Sequence, residues 1–277
     1  MAEPKLITIC IAHYRDTDFV LNTLYCLRRL TKNPYQVFIR DNNSGFYYYD
    51  KLRRGAVPYD NMRIFRAPKN YRLRGSQANG ESLNYLVDKI NTRWGVIMHA
   101  DCTFLLKGWD EVLIGQLGDR VKIVGTGTPL KGRQDFPFVY GVLFETGVMQ
   151  RLKINWQPRL GPPWREAAWE LKEKYVEAGY RGVVIPAQNT RHYKKGPFGS
   201  LVGVEEYYWG QGRSKLIASH FGRGSTLGSA KYQKGTSLVN FIYRLPVIGR
   251  LPRKWKGRKE RNKWIKICQT IAKEQAT

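Results

Sequence analysis

Cysteine is scarce in this chain, and long apolar runs are absent. The four cysteines are widely spaced, and no two of them form the Cys-x-x-Cys pair of a zinc or redox site. Cys10 and Cys102 lie in apolar stretches, where a buried free thiol and a reducing compartment are expected. The opening residues lack the charged, apolar and cleavage regions of a signal peptide, and no run approaches the roughly 20 apolar residues that span a bilayer. We expect a cytoplasmic protein, either free or peripheral to a membrane.

Acidic residues are also in short supply. The 277 residues include 22 Asp and Glu against 47 Lys and Arg, which gives a formal net charge of +25. Such an imbalance indicates a polyanionic partner, and a nucleotide sugar, an anionic membrane surface and a nucleic acid all meet that requirement. A hydrophobic fraction of 42% with 13% aromatic residues excludes a disordered chain and indicates a folded globular protein.

Apolar segments alternate between the periods of strands and helices. Residues 6–12 form a continuous β-branched apolar run, typical of a strand that is buried on both faces. Further strands are predicted at 36–40, 62–65, 94–98, 121–124, 138–144 and 182–185, and helices at 16–30, 76–90 and 164–178. This order predicts an α/β fold with a mostly parallel mixed sheet flanked by helices. After about Gly224 the chain becomes basic, so we predict one domain over 1–224 and a basic, aromatic-containing C-terminal helical tail over 225–277.

The most informative stretch is residues 96–102, an apolar strand that ends abruptly on an acid. Residues two apart on a strand point to the same face, so His99 and Asp101 project together. An acid at the carboxyl end of a strand lies where α/β sheets bind ligands. Asp101 therefore either holds a divalent cation against a nucleotide diphosphate or caps a turn.

Six features follow one another in a fixed order along the chain. They are ITICIAHYR at 7–15, VFIRDNNSG at 37–45, NYRLRGSQANG at 70–80, Asp101, AGYR at 178–181 and His192. They resemble, in order, the first strand, the second strand, the Asn-x-Gly and Ala-x-Asn-x-Gly segment, the last metal-motif acid, a helix ending and a histidine of the inverting family-2 glycosyltransferases. The resemblance covers roughly residues 5–200 and implies a GT-A, Rossmann-like fold.

The resemblance implies a glycosyltransferase that moves a sugar from a nucleotide-diphosphate donor to an acceptor hydroxyl with inversion. The donor is a UDP-, GDP- or dTDP-sugar, the cofactor is Mn²⁺ or Mg²⁺, and a carboxylate acts as the base. The acceptor is a glycan or a lipid-linked saccharide, or, as an alternative, a modified base in nucleic acid. Nucleotidyl transfer is a competing reaction, but the Gly-rich opening loop that it needs is missing after Ile11. A catalytically inactive GT-A binding protein is a third reading.

Donor contacts are also implied by the resemblance. They come from Ala12, His13, Tyr14, Asp41, Arg74, Asn79, His99 and Ala100. Asp41 would accept a hydrogen bond from the imide N–H of the donor base, but an acid in Asp-Asn-Asn-Ser-Gly is equally suited to an Asx turn. Arg74 and Asn79 flank a helix start, where ribose or diphosphate would lie, although a run of basic residues is commonly a solvated face.

The implied metal ligands are Asp101 and His192, with His220 as the rival of His192. His99 replaces the first acid of the family's Asp-x-Asp motif. Because imidazole is a tolerable ligand for Mn²⁺ and a poor one for Mg²⁺, this replacement leaves the metal preference open. Contact with ribose, or simple packing, is the alternative role for His99.

The catalytic base departs from the family pattern. The family supplies it about ten residues before Ala-Gly-Tyr, where this chain has Ala167 and Ala168. Glu166, one position away, is the favoured base, since inversion needs a carboxylate to take the proton of the attacking hydroxyl. Glu170 is the second candidate, and its alternative role is an ion pair with Lys174 one helical turn later.

The C-terminal tail interleaves basic residues with Trp255 and Trp264. This composition fits an interfacial element on an anionic membrane surface. It also fits a segment that follows a nucleic-acid backbone. A helix that packs on the catalytic domain, with a solvated basic face, is the third possibility.

Overall fold

A computed structural model describes residues 6–128, 135–234, 238–246 and 248–277. The strands of this part of the chain are β1 (Ile7–His13), β2 (Tyr35–Asp41), β3 (Met62–Arg66), β4 (Trp94–His99), β5 (Cys102–Phe104), β6 (Val121–Thr126), β7 (Gly141–Glu145), β8 (Arg181–Ile185), β9 (Ala187–Asn189), β10 (Glu205–Trp209) and β11 (Lys215–His220). The helices are α1 (Thr17–Leu30), α2 (Phe46–Ala56), α3 (Gly75–Val87), α4 (Trp109–Ile114), α5 (Thr146–Arg151), α6 (Glu170–Glu177), α7 (Leu238–Arg244) and α8 (Arg250–Ala276). Short 3-10 helices lie at Gln211–Arg213, Gly224–Thr226 and Ser229–Gln233.

Seven strands form the central sheet in the order β3-β2-β1-β4-β7-β6-β8. β7 runs antiparallel to its neighbours β4 and β6, whereas β1 pairs in parallel with β2 and β4. The isoleucines and Cys10 of β1 are fully buried, because helices cover both faces of a mostly parallel sheet. The register pairs His13 with Asp41 and Ala12 with His99. The carboxyl ends of three strands therefore lie side by side.

Four strands form a smaller antiparallel sheet in the order β5-β11-β10-β9. A link of two residues joins β4 to β5, so the chain passes directly from the central sheet into the smaller one. In the smaller sheet His220 lies opposite both Cys102 and Glu205. Residues from far along the chain are thereby brought to the end of β4.

Two hydrophobic clusters pack on the central sheet, one containing α1 and α8 residues and the other containing α3, α5 and α6 residues. Trp264 of α8 is fully buried, and its ring contacts Phe19, Phe198 and Phe221. Its indole N–H donates to the Ser219 hydroxyl at 3.0 Å. The C-terminal tail is therefore packed onto the rest of the fold through α8, while the division at residue 224 stays a prediction.

The predicted fold class is confirmed, but the helix predicted over 164–178 is wrong in its first half. Helix α6 begins only at Glu170. Pro162 and Pro163 favour extended backbone before them, and Ala168 has a left-handed φ of 63°, so the helix cannot form earlier. The strand predicted over 138–144 is shorter at its start and begins at Gly141. Helix α2 and the smaller sheet were not predicted.

The thiols behave as predicted, since all four cysteines are free and buried. No helix in the described ranges is both long enough and apolar enough to cross a membrane.

Candidate functional site

Two sheets meet at the candidate site. His99 is the last residue of β4, and Asp101 lies in the link that leads into β5. His220 is the last residue of β11, which pairs with β5. The N–H of Phe221 donates to the carbonyl oxygen of Asp101 at 2.8 Å, which fixes the link against the end of β11. The fold thus brings two histidines and an acid to one point.

The three side chains have atoms suited to a metal ion. One ligand atom each of His99, Asp101 and His220 lies within 4.8 Å of the other two. The Nε2 atoms of both histidines and Oδ2 of Asp101 are buried and have no hydrogen-bond partner within the described residues. Buried polar atoms are rarely left unpaired, so three of them converging on one point indicate a ligand. Two imidazole nitrogens with one carboxylate oxygen fit Mn²⁺ better than Mg²⁺.

Glu205 orients His220 from the opposite side. His220 Nδ1 lies 3.1 Å from Oε2 of Glu205, and His220 Nε2 lies 3.4 Å from Oδ1 of Asp101. The Tyr140 ring stacks on the imidazole with the centroids 4.1 Å apart. A carboxylate behind a ligand histidine holds the ring orientation and increases its basicity, and Glu205 is placed to do this.

The ionisable groups of the cluster shift one another's pKa values. Burial disfavours the charged form of His220, but Asp101 and Glu205 outweigh it and raise the pKa of His220 to about 9. Burial and the neighbouring His220 lower the pKa of His99 to about 4, so His99 is neutral. Burial opposes ionisation of Asp101 too, yet His220 holds its pKa below the usual range. The cluster therefore presents an ionised carboxylate and at least one neutral imidazole.

A second acid lies next to this cluster. A Cβ atom at Gly224 would lie 3.3 Å from the Asp101 side chain and 3.4 Å from Oδ2 of Asp16, so Gly224 is packed against both carboxylates. Burial raises the pKa of Asp16 to about 6, an effect that His13 opposes and Asp101 reinforces. The backbone N–H of Tyr14 donates to Oδ1 of Asp16 at 3.1 Å.

Asp41 is held by its own neighbours. Its Oδ1 accepts from His13 Nδ1 at 2.9 Å and from the Ser44 hydroxyl at 2.5 Å, and Arg66 Nε lies 3.6 Å from Oδ2. Burial opposes ionisation, but the hydrogen bonds from His13 and Ser44 keep the pKa of Asp41 below its usual range. The side chain is fully buried, and its Oδ2 accepts from the backbone N–H of Ser44 at 3.4 Å, so Asp41 stabilises the turn that follows β2. Contact between Asp41 and a donor base stays a prediction.

His13 was predicted as a donor contact, but the structure uses both of its ring nitrogens internally. Nδ1 binds Asp41, and Nε2 lies 3.0 Å from the Thr17 hydroxyl. The ring is fully buried, so His13 positions Asp41 and the start of α1. Ala12, at the end of the same strand, is partly buried.

Arg74 and Tyr14 come together at the rim of the site. The Arg74 guanidinium lies 5.6 Å from the centroid of the Tyr14 ring, within the range of a cation–π contact. Arg74 is exposed and immediately precedes α3, and Asn79 is partly buried within that helix. Ala100 is buried between His99 and Asp101. Tyr14 and Ala100 each follow the end of a strand of the central sheet, and contact of these residues with a donor stays a prediction.

Glu166 is attached to the first turn of α3. The Ser76 hydroxyl donates to its Oε2 at 2.6 Å. Tyr140 is the tyrosine whose ring stacks on His220. Burial is the largest cause of the raised pKa of its hydroxyl, and the charges of Glu205, Asp101 and Glu166 raise that pKa further. The carboxylate of Glu166 is therefore within electrostatic reach of the two-histidine cluster.

Glu170 has a different role. Its Oε2 accepts from the backbone N–H of Asn155 at 2.9 Å and pairs with Lys174 Nζ at 2.7 Å. The ion pair with Lys174 is the alternative role that its sequence position indicated. With both contacts on one oxygen, Glu170 connects α6 to the preceding loop.

His192 is not brought into the cluster. Its side chain is exposed, and its backbone N–H donates to the Asn189 carbonyl in a turn after β9. The metal-ligand group that the described residues form contains His220, the rival, in its place. The reason is the pairing of β11 with β5, which delivers His220 and leaves His192 outside.

Three site residues escaped the sequence reasoning. Glu205 begins an aromatic strand, where a buried acid requires a partner, and Asp16 precedes the first residue of α1. Lys231 donates from Nζ to the Phe221 carbonyl at 3.0 Å, and burial lowers its pKa to about 8 against the pull of nearby acids including Asp101.

The chain is similar to a known protein family and to solved structures. The sequence model of glycosyl transferase family 2 matches residues 8–166, more than half of the chain. The mannosyltransferase PcManGT from Pyrobaculum calidifontis, in complex with GDP-Man and Mn²⁺, is similar over 98% of this chain and 74% of its own, with 12% identity and a TM-score of 0.52. Glucosyl-3-phosphoglycerate synthase from Mycobacterium tuberculosis, in complex with Mn²⁺, UDP and phosphoglyceric acid, is similar over 66% of this chain and 68% of its own, with 9% identity and a TM-score of 0.46. No curated protein sequence matches. The likeness to the mannosyltransferase supports the GT-A fold.

Proposed function

The chain belongs to glycosyl transferase family 2 and is a glycosyltransferase, and on that basis we propose that it transfers a sugar from a nucleotide-diphosphate donor to an acceptor hydroxyl with inversion. The observation that carries the proposal is the convergence of three unpaired buried atoms, from His99, Asp101 and His220, at the carboxyl edge of the sheet. Ligands bind at this edge in α/β folds.

His99, Asp101 and His220 would hold the divalent cation, and Mn²⁺ is the ion that their donor atoms favour. When bound, such a cation neutralises the charge that develops on a diphosphate leaving group. Glu205 keeps the His220 ring turned toward Asp101 through the contact at Nδ1. In this ligand set, the imidazole of His99 replaces the family's first acid. His220 takes the ligand role that the resemblance gave to His192.

Two cationic side chains are the proposed contacts of the donor diphosphate. Arg74 stands at the start of α3, and Lys231 lies close to the carboxylate of Asp101. The two positive charges favour a UDP-, GDP- or dTDP-sugar over a neutral sugar. The base of the nucleotide is expected on the side of Asp41, beyond His13.

Glu166 is the proposed catalytic base. The hydrogen bond from Ser76 holds one carboxylate oxygen, which leaves the other to take the proton of the acceptor hydroxyl as it attacks the anomeric carbon. Glu170 is the second candidate for the base, and its contacts with Asn155 and Lys174 give it a structural role as well. The acceptor is a glycan or a lipid-linked saccharide.

Donor turnover provides the test. The protein is incubated with Mn²⁺ and each of a panel of UDP-, GDP- and dTDP-sugars, and release of free nucleotide is measured with and without candidate acceptors. Transfer to an acceptor should fall by about 10²–10⁴-fold in Glu166→Gln, the range typical of a lost general base, and should persist in the matched variant Glu170→Gln. Product analysis by NMR would show the inverted anomer.

Asp101→Asn should abolish metal-dependent donor release altogether. If no donor of the panel binds or is hydrolysed by the folded wild-type protein, the proposed reaction is rejected. Equal loss in Glu166→Gln and Glu170→Gln would remove Glu166 from the role of base.

A further inference from the structure

Exposed apolar side chains are concentrated on α7 and the start of α8. We call this set the apolar C-terminal face. It consists of Leu238, Phe241, Ile242, Ile248, Leu251 and Trp255. Leu238 is 78% exposed and Leu251 is 76% exposed, so these side chains lie almost entirely outside the fold. The six are half of the twelve large apolar side chains that the described residues expose, and they fall in one short segment. A concentration of this kind marks an interaction surface.

The surroundings of the face are strongly basic. Residues 238–277 contain eleven Lys and Arg and two Glu. Arg250, Lys254 and Arg258 are exposed beside the face, and Lys259 Nζ lies 5.5 Å from the centroid of the Trp255 ring. The one acid near them, Glu260, faces inward. Its carboxylate accepts hydrogen bonds from the backbone N–H of Val202 and the hydroxyl of Tyr232.

Apolar side chains ringed by cations match an anionic lipid surface. Transfer of aliphatic groups such as Leu238, Ile248 and Leu251 into the acyl boundary is favourable, whereas a nucleic-acid backbone has no apolar surface to bury them. Tryptophan is favoured at the level of the lipid headgroups, which suits Trp255. The cations add attraction to anionic headgroups.

The face is connected to the candidate site through a short chain of contacts. A Cβ atom at Gly257 of α8 would lie 2.6 Å from the Leu227 carbonyl oxygen, so α8 packs tightly on the segment that holds the 3-10 helices. Gly224 of that segment is packed against Asp101. The helix that carries part of the apolar C-terminal face therefore packs on the same segment of chain that packs against Asp101.

We propose that the apolar C-terminal face docks this protein on an anionic bilayer, peripherally, and that the acceptor is a lipid-linked saccharide presented at that surface. The second half of this inference rests on the proposed function. Docking would hold the enzyme at the surface that carries such an acceptor, and the packing of α8 on the segment that contains Gly224 links that surface to Asp101.

Vesicle binding tests the docking half without donor or metal. The full chain is mixed with vesicles of phosphatidylcholine alone or with phosphatidylglycerol added, and the bound fraction is measured by flotation at low and high salt. We compare Leu251→Ser/Trp255→Ser with a matched pair on other surfaces, Val57→Ser/Val176→Ser, whose side chains are also exposed. Circular dichroism verifies that both variants fold.

The wild type and the Val57→Ser/Val176→Ser protein should bind the anionic vesicles and retain part of that binding at high salt. The Leu251→Ser/Trp255→Ser protein should bind roughly 100-fold more weakly, because each large apolar side chain removed from the lipid boundary costs about tenfold. Three results overturn docking: no binding by the wild type, equal binding by both variants, or tighter binding to duplex DNA that the Leu251→Ser/Trp255→Ser change leaves intact. Self-association without vesicles that the same change abolishes would assign the face to a second copy instead.

The acceptor half is tested separately. Transfer to a lipid-linked saccharide in anionic vesicles should exceed transfer to its water-soluble fragment, and the Leu251→Ser/Trp255→Ser protein should lose that advantage while it keeps donor hydrolysis in solution. Loss of solution hydrolysis would point to the catalytic proposal, whereas an equal rate with both acceptors would refute the lipid-linked acceptor alone.

Discussion

Replacing His220 with Gln tests whether the metal ligand is the histidine that the fold selects. His220 is buried between Asp101 and Glu205, at 3.4 Å and 3.1 Å. The hydrogen bond between His220 Nδ1 and the Glu205 carboxylate is of the kind that involves a charged group and contributes about 1.5–3 kcal/mol, so we expect metal-free His220→Gln to lose about 2 kcal/mol of unfolding free energy. The matched control is His192→Gln, an exposed position at which the same change should be nearly neutral.

The pH dependence of that loss has a definite sign. The pKa of His220 is raised from 6.5 to about 9 in the folded protein. A raised pKa stabilises the folded state fully below the unfolded value and ceases to do so as the pH passes the folded value. In metal-free protein the difference between wild type and His220→Gln should therefore be largest below pH 6.5 and should disappear above about 9.

The second measurement is the stabilisation of each variant by Mn²⁺. An ion present at about 100 times its dissociation constant stabilises the folded state by about 2.7 kcal/mol, which corresponds to an increase in Tm of roughly 5–10 °C for a chain of this size. Differential scanning fluorimetry with and without MnCl₂ should show that increase in the wild type and in His192→Gln, and should show little of it in His220→Gln. If His220→Gln keeps the full shift, or His192→Gln loses it, the assignment of the ligand set is wrong.

Three further outcomes follow from packing and hydrogen bonding. Trp264→Ala should lower the free energy of unfolding by about 3–5 kcal/mol in urea titrations, whereas Trp255→Ala, at an exposed position, should change it by less than about 0.5 kcal/mol; equal effects would contradict the packed tail. Gly80→Ala should destabilise the fold and reduce kcat, because its Cβ would lie 2.3 Å from the Trp156 carbonyl oxygen and push away the loop that leads to the base; unchanged kcat would contradict this. Glu205→Gln should weaken Mn²⁺ binding by about 10–100-fold in calorimetric titration, and an unchanged affinity would show that Glu205 does not orient the ligand.

Local periodicity explains which parts of the fold were predictable. The strands around residues 7–13, 35–41 and 94–99 have continuous apolar runs, because their burial on both faces requires them. Helix α2 was not predicted, since Phe46 and Tyr47 at its start are exposed and the turn residues before it dominate the pattern. The smaller sheet was missed for a related reason: β5 and β9 are three residues each, too short to show a period.

Asp101 shows what a sequence can determine about a site. An acid at the end of a buried strand, two residues after a histidine, is a local pattern, and the carboxyl edge of the sheet follows from strand direction. Glu166 was proposed as the base in a similar way, through its distance from the helix ending, and that role stays a prediction, although α6 begins later than predicted. In both cases the relevant residues are close together in the chain.

The choice between His192 and His220 belongs to the tertiary structure. The sequence alone offered two histidines downstream of Asp101, and nothing local distinguishes them. The antiparallel pairing of β11 with β5 sets His220 opposite Cys102, and the pairing of β10 with β11 sets Glu205 behind His220. The pairing of β11 with β5 joins residues more than a hundred positions apart, and no short-range pattern encodes it. The sequence by itself thus determined the acid at the end of the strand, and only the folded sheets decided which downstream histidine lies beside it.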